Sequence, residues 1–386
     1  PMADRQHVFD ADTHFQPATE SIVDYLDKAM LARLPELEEF KNPVKTGRAG
    51  QVLEEPFRHW YRFRRGGGWG SNKPRHLGEP GPREQEQRHF QSFMGGRYPT
   101  MGVEDYLMDT RVAEMDEEGI DAQILVPSAF TGHEDATVDV AFVQALNRYL
   151  DASCSQYPDR LYSMIFTTAR DVEASVAEIK TWSGKQWAKA VYLDLPLDYP
   201  LDHPDLRPIW AAIDDAGLTY CHHSFATGYP GYRDLWDNPF MGRTAGHPWA
   251  AMRAVASFFG SGLFDKYENL KFAIMESGFG WLPFWAARME DQVTYMGYVA
   301  EGGLKRTMKE YMTDGRFFAS IVLHEGPDMV RMVSELLGDH VLMFGSDYPH
   351  AESRFPDSVT GMEDWNLAPT VYRKLMWDNA ASCFGL

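Results

Sequence analysis

Cysteine is scarce in this sequence: the 386 residues include only Cys154, Cys221 and Cys383. Three scattered cysteines exclude a disulfide framework and a thiolate zinc site, and they favour a reducing, intracellular setting. Long apolar runs are missing too, because no stretch approaches the ~20 consecutive apolar residues that span a bilayer. No signal-peptide core precedes the first strand-like segment. We therefore expect a cytoplasmic protein with no membrane partner.

Basic residues are outnumbered, with 37 Lys and Arg against 56 Asp and Glu and a formal net charge of −19. Such a charge repels phosphate backbones and anionic lipid, which excludes nucleic acid as an expected partner. Disorder is excluded as well, because 44% of the residues are hydrophobic and only 24% are charged. The length suits either two domains or one large α/β barrel.

Short β-branched or aromatic runs alternate along the chain with longer amphipathic stretches of helical periodicity. Alternating βα units imply a parallel sheet, and eight of them imply a closed (β/α)₈ barrel of the TIM type. The eight predicted strands are Val8–Asp12, Ala122–Val126, Leu161–Phe166, Ala190–Leu193, Leu218–Cys221, Leu270–Met275, Phe317–Ile321 and Val341–Phe344.

One region near the N-terminus, residues 34–100, interrupts this alternation and is rich in Gly, Pro, Arg and aromatic residues. A long irregular segment in a barrel predicts an inserted loop over the barrel mouth or an oligomer contact. Its aromatic residues favour a packed lid over a disordered excursion. We expect a single barrel domain over residues 2–386 with this insertion. The aromatic residues are Phe57, Trp60, Tyr61, Phe63 and Trp69.

Polar residues collect at the end of the first predicted strand. Because side chains alternate along a strand, Asp10, Asp12 and His14 share one face. An ionised carboxylate inside a barrel is costly unless it is paired or bound to a cation. Metal ligation therefore explains Asp12 and His14, and a surface turn with Asp as a helix cap is the alternative.

Three further strands also end in polar residues: His222-His223 after the fifth, Glu276 after the sixth and Asp347 after the eighth. In a (β/α)₈ barrel the carboxyl ends of the strands form one rim, where catalytic groups from different strands converge. Independent polar ends on strands one, five, six and eight therefore predict a metal site at that rim.

These motifs resemble the amidohydrolase superfamily, specifically the amidohydrolase-related branch that includes aminocarboxymuconate-semialdehyde decarboxylase. The resemblance covers most of the barrel but not the insertion. Its motifs are Asp10-Ala11-Asp12-Thr13-His14, Tyr157-Pro158-Asp159-Arg160, His223-Ser224, Glu276-Ser277-Gly278-Phe279-Gly280-Trp281-Leu282-Pro283, Phe344-Gly345-Ser346-Asp347-Tyr348-Pro349-His350 and Trp377-Asp378-Asn379-Ala380-Ala381.

The resemblance implies a role for each matching position. Asp12 replaces the first His of the family's His-x-His pair and His14 keeps the second. Asp347 matches the family's Asp that both ligates the metal and carries a proton. His223 fits the ligand of the fifth strand, and His222 is the alternative register. The sixth strand departs from the pattern: the decarboxylase carries a His where this chain has Glu276, which argues against decarboxylation of the same type.

The expected ligand set contains three carboxylates, Asp12, Glu276 and Asp347, and two imidazoles, His14 and His223. Carboxylate-heavy ligation favours manganese or iron, with zinc a further candidate. Three carboxylates suit one divalent ion, or two ions bridged by Glu276 or Asp347.

The sequence favours a metal-dependent hydrolase acting on a small, partly apolar organic substrate. A metal lowers the pKa of bound water towards ~7, and Asp347 would accept the proton and later deliver it to the leaving group. With one metal, Glu276 is available as a general acid or base, and His350 is placed to orient Asp347 or contact substrate. Two alternatives stay open: a carboxylate-rich di-iron oxygenase and a non-oxidative decarboxylase.

Substrate contacts are predicted at four positions. Arg288 is a candidate partner for a substrate carboxylate, with a structural salt bridge as the alternative. His324 follows the seventh strand on the same rim. Trp60 and Phe225 belong to an aromatic-rich mouth that suits an apolar molecule, with ordinary packing as the alternative. We also expect a homo-oligomer.

Overall fold

The protein is described here by a computed structural model. The residues that the structure describes are 6–15, 17, 19–48, 51–61, 63, 107–127, 131–196, 199–223, 239–296, 303–350 and 353–386. Their strands, in chain order, are β1 (Phe9–Phe15), β2 (Lys41–Arg48), β3 (Gln51–Tyr61), β4 (Ala122–Pro127), β5 (Leu161–Thr168), β6 (Ala188–Asp194), β7 (Thr219–His223), β8 (Lys271–Met275), β9 (Phe317–Ser320) and β10 (Leu342–Met343).

Eight of these strands form one parallel sheet in the order β1-β4-β5-β6-β7-β8-β9-β10. Backbone hydrogen bonds join its two end strands: the N–H of Ala11 donates to the carbonyl of Phe344 at 2.9 Å, and the N–H of Asp347 donates to the carbonyl of Asp12 at 2.9 Å. A parallel bridge between Thr13 and Tyr348 continues the same seam. The sheet therefore closes into a (β/α)₈ barrel, which confirms the predicted fold class.

All eight predicted strands are present within a few residues of their predicted bounds. Every residue of β1, β4, β5 and β7 is buried, as expected for strands covered by helices outside and packed side chains inside. β1 continues to Phe15, so Asp12 and His14 lie within the strand and not in a turn after it.

Helices connect the successive barrel strands. Three helices end at glycines in the left-handed conformation, Gly119 with φ 80°, Gly217 with φ 63° and Gly385 with φ 66°, which is a common helix end. The helices are α1 (Thr19–Val23), α2 (Lys28–Arg33), α3 (Met108–Glu118), α4 (Ala136–Cys154), α5 (Val172–Trp182), α6 (Arg207–Ala216), α7 (Pro239–Gly260), α8 (Leu263–Lys266), α9 (Leu282–Met296), α10 (Met308–Thr313), α11 (Gly326–Leu337), α12 (Thr360–Glu363), α13 (Pro369–Arg373) and α14 (Asn379–Phe384). Short 3₁₀ turns span Leu34–Phe40, Pro204–Leu206 and Leu323–Glu325, and a π-helix spans Lys374–Asp378.

The predicted insertion begins differently from the expected irregular loop. Strands β2 and β3 pair as an antiparallel hairpin. Tyr61, the last residue of β3, and Phe63, just beyond the hairpin, are buried. Their rings lie 5.4 and 4.9 Å from the ring of Phe142 on α4. The start of the insertion is thus packed on the barrel's helix layer. Trp69 and the remaining positions up to residue 100 lie outside the described residues.

Among the described residues, no helix combines the length and the hydropathy that crossing a bilayer requires.

Candidate metal centre

Polar side chains from four barrel strands meet at the carboxyl end of the barrel. Asp12 and His14 come from β1, His223 ends β7, Glu276 directly follows β8, and Asp347 follows β10. The structure brings all five together, as the strand ends predicted. Potential ligand atoms lie within 4.8 Å of one another in two overlapping groups, and the two groups share His14 and Glu276.

The distances between these atoms suit a common cation. The Nε2 atom of His14 lies 3.2 Å from Oε2 of Glu276, 3.2 Å from Oδ1 of Asp347 and 3.5 Å from Oδ1 of Asp12. The Nε2 atom of His223 lies 3.3 Å from Oδ1 of Asp12 and 3.2 Å from Oε2 of Glu276. A transition metal binds N and O ligands at ~2.0–2.2 Å, which places neighbouring ligand atoms ~3.0–3.5 Å apart.

The hydrogen bonding of His14 sets the orientation of its ring. Its Nδ1 lies 3.2 Å from the carbonyl of Val126, so Nδ1–H donates there and leaves the Nε2 lone pair directed at the carboxylates. This buried Nε2 atom lies 3.2 Å from a carboxylate oxygen of Glu276 and of Asp347. A backbone-anchored imidazole with a lone pair facing carboxylates is the arrangement of a metal-ligating His.

Electrostatics at the centre favour positive charge. Burial disfavours the charged form of every group, yet hydrogen bonds with His14 and His223 hold the pKa of Asp12 well below its usual range. Burial also disfavours protonated His14, but its hydrogen bonds with Asp12 and Asp347 raise its pKa well above the ordinary value. The carboxylates therefore stabilise a cation between them, either a proton on an imidazole or a metal ion.

Two of these residues have a backbone conformation that is uncommon outside glycine. The backbone φ angle is 46° at Glu276 and 59° at Asp347. Both values lie in the left-handed region, which residues other than glycine rarely adopt. Hydrogen bonds hold both: the N–H of Glu276 donates to the hydroxyl of Ser320 at 3.1 Å, and that of Asp347 donates to the carbonyl of Asp12. Such outliers concentrate at functional sites.

His350 lies against the centre, as the sequence predicted. Its Nδ1 is 2.8 Å from Oδ1 of Asp347, and its ring stacks on that of His14 with the centroids 4.1 Å apart. The His350 side chain is 31% exposed, against 3% for His14 and 15% for Asp347. His350 is thus placed between Asp347 and solvent.

The structure distinguishes the two histidines of β7. His223 points into the cluster, whereas His222 points the other way, with its Nδ1 atom 3.5 Å from the hydroxyl of Tyr220. Burial lowers the pKa of His222 to about 3, so this ring stays neutral. His223 is therefore the imidazole of the fifth barrel strand that contributes to the centre.

Two further residues, Ser320 and Glu325, support the cluster through contacts that the sequence analysis did not predict. The hydroxyl of Ser320, the last residue of β9, donates to Oδ2 of Asp12 at 3.0 Å. The carboxylate of Glu325 accepts from the backbone N–H groups of Phe279 at 3.0 Å and Gly280 at 2.6 Å, which holds the loop after Glu276. Ser320 ends the seventh barrel strand and Glu325 follows it. Their position at the carboxyl end of this strand was the sequence signal that could have identified them.

The predicted substrate contacts are less well supported by the geometry. The Arg288 side chain is 53% exposed, with its Nη1 atom 3.8 Å from Asp291 on the same helix, as in the alternative of a structural salt bridge. His324 is exposed and Trp60 is buried. Phe225 lies outside the described residues. Substrate contact stays a prediction for all four residues, Arg288, His324, Trp60 and Phe225.

The chain belongs to the amidohydrolase family, because the family model described as Amidohydrolase matches residues 10–386. The resemblance inferred from the motifs is therefore confirmed. Among curated proteins, it is similar to gamma-resorcylate decarboxylase of Polaromonas sp. (strain JS666 / ATCC BAA-500), with 23% identity over 301 residues, covering 72% of this chain and 88% of the relative.

Two solved structures illustrate the likeness of fold. 5-Carboxyvanillate decarboxylase LigW from Sphingomonas paucimobilis has a TM-score of 0.69 and 18% identity, covering 99% of this chain and all of that one. Dihydroxybenzoic acid decarboxylase from Polaromonas sp. JS666, with bound manganese and the inhibitor 2-nitroresorcinol, has a TM-score of 0.63 and 16% identity, covering 99% of this chain and 98% of that one.

Proposed function

We propose that this protein is a metal-dependent, non-oxidative decarboxylase of a small aromatic carboxylate. The observation that carries the proposal is the largely buried cluster of Asp12, His14, His223, Glu276 and Asp347 at the catalytic rim of the barrel. The relatives reported above are decarboxylases by name. They favour decarboxylation over the hydrolysis that the sequence analysis placed first.

We propose that the centre holds one divalent cation, with manganese as the preferred ion. The two groups of ligand atoms share His14 and Glu276, and the single Nε2 lone pair of His14 serves one ion. This sharing favours a single ion over the pair that a di-iron oxygenase needs. A donor set rich in carboxylates suits manganese, which is the ion bound in the dihydroxybenzoic acid decarboxylase structure.

The residues around the centre have distinct roles in the proposed reaction. When bound, the cation would supply Lewis-acid polarisation of the substrate's oxygen atoms. The bond between the ring carbon and the carboxylate breaks, its electron pair remains on the ring carbon, and CO₂ leaves. One proton then replaces CO₂ on that carbon. Asp347 is the group we propose to deliver it, with His350, 2.8 Å away and partly exposed, passing a proton from solvent.

The proposal is tested by incubating manganese-loaded protein with 2,6-dihydroxybenzoate, 2,3-dihydroxybenzoate and 5-carboxyvanillate while measuring CO₂ release. We expect turnover of at least one of them and a loss of ~100-fold or more in Asp347→Asn, because removing a group that carries a proton typically costs 10²–10⁴-fold. Asp357→Asn is the matched control, since this exposed residue lies in the same loop region.

Two results would contradict the proposal. One is the absence of CO₂ release from every member of the panel by manganese-loaded protein. The other is metal-dependent cleavage of esters, lactones or amides without any decarboxylation, which would support the hydrolase. Full turnover by Asp347→Asn would remove only the role assigned to Asp347.

A further inference from the structure

Ser320 lies between two carboxylate residues of the candidate metal centre. It is the last residue of β9 and its side chain is buried. Its hydroxyl accepts the N–H of Glu276 at 3.1 Å and donates to Oδ2 of Asp12 at 3.0 Å. One small side chain thus connects the acidic residue of the first barrel strand to that of the sixth.

The direction of these hydrogen bonds follows from the donors available. A serine hydroxyl has one proton and two lone pairs. The backbone N–H of Glu276 can only donate, so it occupies a lone pair and leaves the hydroxyl proton for the carboxylate of Asp12. Each bond in such a chain polarises the next one, which strengthens the contact with Asp12.

This contact makes the two oxygens of Asp12 inequivalent. Oδ2 accepts from Ser320 at 3.0 Å. Oδ1 lies 3.3 Å from Nε2 of His223 and 3.5 Å from Nε2 of His14. The carboxylate is therefore held with one oxygen towards the imidazoles and the other towards the hydroxyl.

Close packing limits other positions of the Asp12 side chain. A Cβ atom placed on Gly345 would lie 2.9 Å from Cβ of Asp12 and 3.3 Å from Cβ of Ser320. Only glycine allows the backbone at this position to approach both residues so closely. Ser320, Asp12 and Gly345 thus form one tightly packed layer behind the cluster.

We infer that Ser320 is a positioning residue that presents Asp12 to the cation through a single oxygen, Oδ1. This inference rests on the metal centre of the proposed function and adds to it a residue that binds no metal itself. Partners that orient a ligating carboxylate typically contribute 10–100-fold to metal affinity. Ser320 therefore sets the affinity of the site without contacting the cation.

The test measures Mn²⁺ affinity by EPR titration of the free ion, together with the thermal unfolding midpoint in chelator. We expect Ser320→Ala to weaken Mn²⁺ binding ~10–100-fold. Ser163→Ala is the matched control, because Ser163 is also a buried barrel-strand residue whose hydroxyl donates to a neighbouring strand, at 2.6 Å to the carbonyl of Leu125. We expect the control to keep wild-type affinity while both variants show similar small shifts in the midpoint.

The outcomes separate the inference from the proposed reaction. Wild-type affinity in Ser320→Ala overturns the inference, and so does an equal loss of affinity in Ser163→Ala, which would indicate general loosening of the barrel. A wild-type chain that binds no Mn²⁺ overturns both the inference and the metal centre. A loss of Mn²⁺ affinity in Ser320→Ala but not in Ser163→Ala supports the inference even if no decarboxylation is found, because affinity is measured without substrate.

Discussion

At the scale of single residues, two groups of buried carboxylates among the described residues differ in the positive charge that they face. Asp139 and Asp194 lie 3.4 and 2.6 Å from the guanidinium of Arg170, so a permanent positive charge of the chain compensates them. Asp12 instead faces imidazoles, such as that of His223 at 3.3 Å. An imidazole can lose its proton and bind a metal, whereas a guanidinium cannot. The first kind is structural and the second is suited to a cation.

Glu118 is buried away from both groups and offers a test of pH dependence. Its carboxylate accepts the N–H of Ser358 at 3.0 Å, but burial outweighs that bond and raises its pKa. A raised pKa means that the folded chain holds the proton more tightly than the unfolded chain. Ionised Glu118 therefore reduces the free energy of unfolding above its folded pKa, and this cost disappears as the pH falls. We expect Glu118→Gln to be more stable than wild type at pH 7.5, by a margin that vanishes below pH ~4.5.

Urea unfolding of wild type and of Glu118→Gln at several pH values measures this difference in the free energy of unfolding. The exposed neighbour Glu117→Gln is the control, and we expect no such pH-dependent difference there. A margin for Glu118→Gln that grows as the pH falls would have the wrong sign and would contradict the assignment.

At the scale of elements, the C-terminal π-helix (Lys374–Asp378) attaches the last barrel strand. The carbonyl of Leu375 accepts the N–H of Phe344 at 2.8 Å. The amide nitrogen of Asn379 donates to the carbonyl of Leu342 at 2.7 Å. β10 has only two residues. These two bonds therefore take the place of hydrogen bonds to a neighbouring strand at its end. They fix the backbone that leads to Asp347.

The aromatic cluster beyond hairpin β2–β3 attaches the insertion to the helix layer. The ring of Phe63 lies 4.9 Å from Phe142, 5.5 Å from Phe40 and 5.0 Å from His133. Phe63 itself is 3% exposed. Buried aromatic residues of this kind carry a large part of packing energy.

We expect Phe63→Ala to lower the free energy of unfolding by about 3–5 kcal/mol, the usual cost of removing a buried Phe side chain. Phe284→Ala is the matched control, because that side chain is 62% exposed on α9 and its removal leaves no cavity. The comparison of thermal unfolding midpoints checks this. Equal small shifts in both variants would show that the Phe63 cluster contributes little to stability.

At the scale of the whole molecule, the candidate centre connects distant parts of the chain. Its residues extend from Asp12 to Asp347 and come from both sides of the barrel seam. An ion that binds this group binds only the folded chain, because the unfolded chain does not hold these residues together. Binding energy is then also folding energy.

We expect Mn²⁺ at 100 times its dissociation constant to add about 2.7 kcal/mol to the free energy of unfolding, and chelator to reverse this gain. Differential scanning calorimetry with and without the ion measures it. In His223→Gln the gain should be lost, whereas His7→Gln, whose side chain is 71% exposed, should keep it. A gain of the same size in both variants would place the stabilising ion elsewhere.

The sequence by itself determined the barrel and the residues at its rim. Each strand is a local run of apolar residues and each polar end follows its run directly, so both could be identified without knowledge of contacts. The fold rule that strand ends converge then brought Asp12, His14, Glu276 and Asp347 together. Hairpin β2–β3 escaped prediction because β2, with the sequence KNPVKTGR, has no alternating apolar pattern.

Only the tertiary structure decided which groups support the centre. A serine at a strand end is unremarkable in sequence, and the role of Ser320 depends on Asp12, more than three hundred positions away. The choice of His223 over His222 required the direction of each side chain on β7. Local patterns record burial and periodicity, whereas hydrogen bonds between strands depend on register, and register is set only when the barrel closes.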